Sequence, residues 1–349
     1  MRKILPAPDS LVSDGKIRFG VFDAPVRNVN LLDAAMPGLI GPASGWWKRY
    51  RLKQWQFFQV VHPQYAFCFL IIDFAFTASS FFFVFDREKE KAFEHKRLKY
   101  NRKVALAENL YDGRCQFREK NYRIEIFNRL DEGHHDIEAE IGKSRKAPAV
   151  NVNIRVHQPK GEIQPLVVSL PVGKNRGMYS HKVVCPVSGT ASFGDAEITL
   201  DPSRDVTILD EHKALYPHHT YWKWATFGFI NPEGRTIGVN LTDNLIKDQR
   251  RWNENAVFTG DTITLLGPAH FEFDIRNTTK PWKIRDEEGR VELDFTPQNA
   301  KIDRVSLVFF NMDYRQPCGL FNGKLVDGKG ETHNIENVFG ITEYHNAYY

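Results

Sequence analysis

Cysteine is scarce in this chain. Cys68, Cys115, Cys185 and Cys318 stand far apart with no CxxC pair among them, so neither a disulfide framework nor a zinc knuckle is expected, and a reduced, cytoplasmic setting is. No glycine-rich stretch leads from a strand into a helix, which leaves a dinucleotide or P-loop fold unsupported. Helix-building runs of Ala, Leu, Glu and Lys are few. The opening MRKILPAPDSLVSDGKIRFG begins with two basic residues but holds no apolar core of signal-peptide length, so no leader is expected. Strong charge of one sign is also missing: 47 Lys and Arg oppose 43 Asp and Glu, a formal charge of +4. The surplus is local. Residues 87–103, REKEKAFEHKRLKYNRK, hold eight basic residues against three Glu, so a nucleic-acid surface spread over the whole protein is not expected. The run reads as a solvated loop, with transient contact to an anionic partner or membrane surface as the second reading.

Aromatics are plentiful, with 26 Phe, 12 Tyr and 7 Trp among 349 residues, and they favour strands. Alternation says the same. In VNVNIRV, Val150, Val152, Ile154 and Val156 share one face, and HDIEAEI repeats the pattern with Ile137, Ala139 and Ile141,. Hairpin signals punctuate the second half, at INPEGR, TGD, RDEEGR and DGKG,. The class is therefore all-β and antiparallel. A faint duplication accompanies it. NLLDAA around Asp33 resembles TILDEH around Asp210, and Trp55 with Pro63 resembles Trp224 with Pro232. With the length, this suggests two similar domains, 1–172 and 173–349, each closed into a barrel because closure removes vulnerable edge strands.

One run could cross a bilayer by length, AFCFLIIDFAFTASSFFFVF at 66–85,. Asp73 near its middle would cost about 2.5–3.5 kcal/mol at the centre of a membrane helix. Both alternating faces are apolar, which suits strands buried on two sides, with a barrel interior within and another protein layer outside. No transmembrane segment is expected. An eight-stranded barrel with apolar residues inside is wide enough for one small ligand or is filled by its own side chains.

The order of landmarks in the second half resembles a bacterial family of unknown function, related to tandem lipocalin-like (calycin) proteins that include carotenoid hydratase. The landmarks are YSHK (179–182), PVSGT (186–190), LDEH (209–212), WKWATFGF (222–229), GVNLTDN (238–244), NENAVF (253–258), PWKIRDEEGRVELDFTP (281–297), CGLFNGKL (318–325) and GITEYH (340–345). RLKQWQFFQVVHPQYAF (51–67) is similar to the family's opening strand pair. The resemblance implies two lipocalin-like barrels in tandem. Relatives place a Tyr-x-Asp-His-Asn strand before a Trp-x-Trp strand, and Asp210, His212, Trp222 and Trp224 stand in similar order. Ile208 occupies the Tyr place and Glu211 precedes His212, so a polar cluster is implied rather than a named reaction.

Asp210 and His212 are two apart and share a strand face, where a carboxylate can orient an imidazole for proton transfer. Glu343 and His345 share a face in the same way. These four are the candidate catalytic residues. His181, Tyr216, Trp222, Trp224, Asn240 and Asn255 are the candidate ligand contacts, the two indoles offering faces to a polyene or a developing cation. Packing in the core, strand ends and turns explain the same letters. Asp33 is followed by two Ala, so only the second barrel is expected to carry ionisable equipment. No metal-ligand spacing is present and no cofactor is expected. The functional expectation is a protein that binds a hydrophobic small molecule, a lipid or isoprenoid, and hydrates or isomerises it. A carrier without chemistry, and a carbohydrate-binding or carbohydrate-active protein, are the alternatives.

Overall fold

The computed structural model describes residues 2–38, 40–100, 104–307 and 310–348. The chain forms two curled antiparallel half-barrels in tandem. The first meander comprises β1 (Leu52–Val61), β2 (Tyr65–Asp73), β3 (Thr77–Asp86) and β4 (Lys91–Tyr100). Later come β5 (Arg176–Phe193) and β6 (Val206–Leu215), which returns to pair with β1. The first sheet runs β4-β3-β2-β1-β6-β5, then continues through Val150–His157, His134–Ile141, Tyr122–Arg129 and Gly113–Glu119. The second sheet opens with β7 (His219–Ile230) and β8 (Thr236–Asn244) and ends with β9 (Val291–Leu307), β10 (Phe310–Val326) and β11 (Thr332–Tyr348). Its last strand, β11, returns to pair with its first, β7.

The two sheets thus share one plan: a meander leads out, and the last strand comes back beside the first. The chain leaves the first sheet at Leu215 and enters the second at His219. The division expected at 172/173 falls within the hairpin that joins the Leu166–Gly173 strand to β5, both in the first sheet. The four hairpin signals form the turns expected of them, and Gly234 in INPEGR takes the left-handed φ of 78° that its turn requires,.

The apolar run 66–85 makes up β2 and most of β3. Phe67, Phe69, Ile71, Phe82 and Val84 face the core of the first half-barrel. Cys68, Phe81, Phe83 and Phe85 face the other way, against Trp224, Cys318, Phe339 and Ile341 of the second sheet. Burial on both faces explains why the run lacks alternation. The sheets approach closely where Gly228 and Gly238 meet Val184: a Cβ at Gly228 would lie 2.4 Å from a Val184 methyl, so glycine is the residue that lets them touch. Among the described residues no helix is long and apolar enough to cross a membrane.

One local expectation is corrected, and a short helix precedes the first long strand. Gly45–Arg51 forms helix α1, because the Ser44 side chain accepts the Trp47 N–H at 3.2 Å and caps it, and β1 begins at Leu52,. The basic run 87–103 is not a loop; residues 91–100 are the edge strand β4, and 101–103 lie outside the described residues. Its charges guard an edge that would otherwise pair with another chain.

Candidate functional site

A cleft lies between the two sheets rather than inside either half-barrel. Its walls are the outer face of the first sheet (Trp55, Phe57, Leu70, Ile72, Phe81, Asp210 and His212) and the facing side of the second (Trp222, Trp224, Thr242, Glu343 and His345). Alternation decides this placement. On β7, Ala225 and Phe227 fill the second half-barrel, so Trp222 and Trp224 must point out of it, toward the first sheet. The expectation of a second barrel lined by indole and imidazole is corrected accordingly: the rings leave the barrel but are covered by its neighbour. The cleft's cavity volume is about 140 Å³, below the roughly 300–1,000 Å³ usual for small-molecule sites, so the space between the sheets is narrow.

Each sheet supplies one copy of the same constellation. In the first, Trp55 on β1 lies opposite His212 on β6, stacks on its ring at 4.1 Å and 8°, and donates its indole N–H to Asp210 Oδ2 at 3.0 Å. In the second, Trp222 on β7 lies opposite His345 on β11, stacks on it at 3.7 Å and 16°, and donates to Glu343 Oε2 at 2.9 Å. Equivalent rings then meet across the cleft. Trp55 and Trp222 stack at 5.9 Å, and Phe57 meets Trp224 edge to face at 5.9 Å. This pseudo-twofold relation revises the repeat seen in the sequence. Trp55 corresponds to Trp222, not Trp224, and Asp210 corresponds to Glu343, whereas Asp33 lies in a short 3-10 turn. Both halves, not the second alone, carry ionisable groups.

The copies differ at the next strand. Beside Asp210, β5 contributes Lys182, whose ammonium is 3.1 Å from Oδ1 and 3.6 Å from Glu254 Oε2, and it lies over the Trp224 ring at 4.6 Å. Beside Glu343, β10 contributes Tyr314 and Gln316, which donate to Oε1 at 2.6 and 2.8 Å. Ser180 lies opposite His212 and Tyr314 opposite His345, so Lys182 and Gln316 hold matching places. One carboxylate therefore has a cation, the other only neutral donors. Burial raises the pKa of Glu343 against the opposing pull of Tyr314, Trp222 and Gln316. Burial also raises Glu254. Burial works to discharge Lys182, but Asp210 and Glu254 outweigh it and its pKa rises. The ammonium is kept.

The histidines are held neutral. Burial pushes His212 down to about 3, with Asp210 opposing and Lys182 adding to the shift, and His345 likewise to about 3 with Asp313 opposing. His212 Nε2 is bonded to the Tyr216 hydroxyl at 2.8 Å. His345 is buried with no hydrogen-bond partner on either ring nitrogen, which leaves both nitrogens for a ligand or a water. His135 and His181, in the first half-barrel, are lowered by burial to about 4 and about 3. All four folded values lie below the ordinary 6.5, so the unfolded chain takes up protons first on acidification. Stability that is full above about pH 6.5 is lost from these four groups as pH falls toward their folded values. In a nitrogen-15 NMR titration these four rings should remain neutral at pH 5; charging of any of them near pH 6 would contradict this environment.

Asp210, His212, Tyr216, Trp222, Trp224, Glu343 and His345 all line the cleft. Three other candidate contacts do not. His181 lies between Ser180 and Lys182 on β5, so it points to the opposite face, where its Nε2 meets the Gln158 amide at 3.1 Å,. Asn240 stands behind the wall, accepting the Trp224 indole N–H at 2.6 Å. Asn255 is a brace, accepting the Thr242 N–H at 2.6 Å and donating to Gly267 O at 2.9 Å. The sequence reading missed Trp55, Lys182, Glu254, Tyr314 and Gln316 as site residues. Lys182 and Glu254 sat inside quoted motifs, but only the pairing register brings them to Asp210. Among the described residues, one group has the spacing to hold a metal ion, Asp327, Glu331 and His333 in the β10–β11 turn. Asp327 Oδ1 already accepts two backbone N–H groups and Glu331 pairs with Arg235 at 3.0 Å, so the group closes a hairpin.

The family is now decided by comparison. Residues 3–349 match the model of a domain of unknown function, DUF2804. The chain belongs to that family. A search of curated proteins returns no match. Among solved structures, the chain is similar to a candidate AttH protein of Nitrosomonas europaea, at 12% identity and a TM-score of 0.52, covering 84% of this chain and 92% of that one. It is also similar to kievitone hydratase of Nectria haematococca, at 9% identity and a TM-score of 0.43, covering 85% and 88%. The first likeness shows the shared fold of the DUF2804 chain.

Proposed function

We propose that this DUF2804 protein binds a hydrophobic small molecule, a lipid or isoprenoid, between its sheets and adds water across, or shifts, a carbon–carbon double bond. The observation that carries the reading is the unequal pair of carboxylates on one apolar cleft. A carboxylate with a cation beside it and a second one beside neutral donors only are unlike in charge environment, and unlike acids on one cleft divide the roles of proton donor and acceptor,. Glu343, beside neutral donors, gives its proton to an alkene carbon. The adjacent carbon becomes cationic and faces the indoles of Trp55, Trp222 and Trp224, whose ring faces attract positive charge. Water bonds to that carbon, its spare proton passes to the neutral His212 imidazole on the Asp210 side, and this weakly basic ring hands it back to the Glu343 carboxylate, which restores the acid. Loss of a proton from carbon instead of capture of water gives isomerisation. The four cysteines are free and buried, which suits a reducing, cytoplasmic compartment.

The test is to purify the protein, extract and identify bound apolar compounds, and compare their turnover by wild type, Asp210→Asn and His212→Ala. Loss of turnover by roughly 10²-fold with binding kept is expected of a proton-transfer residue. An unchanged compound with all three proteins would contradict catalysis and leave a carrier.

A further inference from the structure

The cleft opens toward an apolar rim that its chemistry does not use. Phe74, in the cleft wall, begins an unbroken run of rings. It lies 6.4 Å from Phe76 and 6.3 Å from Phe310; Phe76 lies 6.0 Å from Tyr50; Tyr50 lies 5.7 Å from Trp46 on helix α1. The far end of this run is bare. Trp46 is 71% exposed and Ile40, in the turn that leads into α1, is 97% exposed. Tyr100, paired with Thr77 next to Phe76, is 70% exposed, and Leu98 on the same face of β4 is 45% exposed. Ile40, Trp46 and Tyr100 are the three most exposed large apolar side chains among the described residues. Two of them, Trp46 through the run of rings and Tyr100 through its pairing beside Phe76, come together at the Phe74 end of the cleft wall,.

Cations accompany them. Of the three basic residues in the last turn of helix α1, which has no acid in its first turn, Arg49 is exposed, Lys48 is half-buried and donates to Leu32 O at 3.0 Å, and Arg51 is buried against Tyr216 O. Lys96, on the cleft face of β4, lines the opening and is paired with Asp303 of β9 at 2.7 Å. Trp and Tyr beside Lys and Arg are the side chains that settle at the boundary between lipid headgroups and acyl chains. We propose that this rim docks on a bilayer bearing anionic lipid headgroups, so that an apolar ligand passes from the bilayer past Phe76 and Phe74 into the cleft. The loading step rests on the proposed hydrophobic ligand; the docking step does not.

The experiment is sedimentation of the full chain with phosphatidylcholine vesicles, with and without phosphatidylglycerol. Binding to the mixed vesicles, weakened by added salt, is expected. Arg49→Glu, and separately Trp46→Ser with Tyr100→Ser, should each lower the partition by about tenfold or more. All variants should take up a detergent-dispersed polyene fatty acid as wild type does, which shows that fold and cleft are intact. A chain left in the supernatant with both vesicle types, or variants that bind vesicles as wild type does, would overturn docking. So would a wild-type dimer in solution that the Trp46→Ser, Tyr100→Ser pair converts to monomer, because a second copy would then cover the rim. Vesicle binding without fatty-acid uptake would sink the ligand reading and the loading step while supporting docking.

Discussion

Gln316→Lys should silence the proton donor. An ammonium placed where Gln316 now donates to Glu343 at 2.8 Å would copy the first half of the molecule, where Lys182 sits beside Asp210. An opposite charge this near lowers a carboxyl pKa by about 1–3 units, working against the upward push that burial gives Glu343 and favouring its carboxylate. Turnover should then fall by roughly 10²-fold, and the alkaline limb of the pH profile should move to lower pH, because activity requires the protonated form. Infrared spectroscopy reads the same change without substrate: a protonated carboxyl stretch present in wild type should vanish in Gln316→Lys and in Glu343→Gln. If that band is absent from wild type, Glu343 is not the acid.

Lys182→Met should cost the most stability. Lys182, Asp210 and Glu254 are each buried, and the ammonium is the counterion the two carboxylates share. Removing one partner of such a group strands the others without charge compensation, a loss of about 3–5 kcal/mol. A urea titration should show the midpoint fall accordingly. Adding Asp210→Asn and Glu254→Gln to Lys182→Met should recover much of the loss, because replacing a whole buried ion group is nearly neutral where breaking it is not. A midpoint that Lys182→Met leaves in place would mean the carboxylates are not ionised there.

Much of the fold could be read from alternation and turn chemistry. Val150, Val152, Ile154 and Val156 announced a half-buried strand, and INPEGR announced its hairpin, because both signals are local. The two-sided burial of 66–85 was legible as well, since a strand covered on both faces loses its polar alternate residues. The pairs Asp210/His212 and Glu343/His345 could be found because a spacing of two fixes a common face. What stayed hidden was which face looks where. Nothing local distinguishes a Trp222 that points into its own barrel from one that points at a neighbour, because both environments are apolar. The repeat was misaligned for a related reason. Trp55, Trp222 and Trp224 are the same letter, and only the strand register, Trp55 opposite His212 and Trp222 opposite His345, shows which two correspond. His181 was misplaced by a single position on β5, the smallest error that turns a side chain to the other side of a sheet.

The most direct measurement is native mass spectrometry of the full chain with a polyene fatty acid, beside a Leu70→Trp variant that fills the cleft from β2. A one-to-one complex with wild type, lost in Leu70→Trp while the variant keeps its cooperative unfolding, is the expected result. A variant that holds the fatty acid as wild type does would place the ligand elsewhere and contradict the site between the sheets.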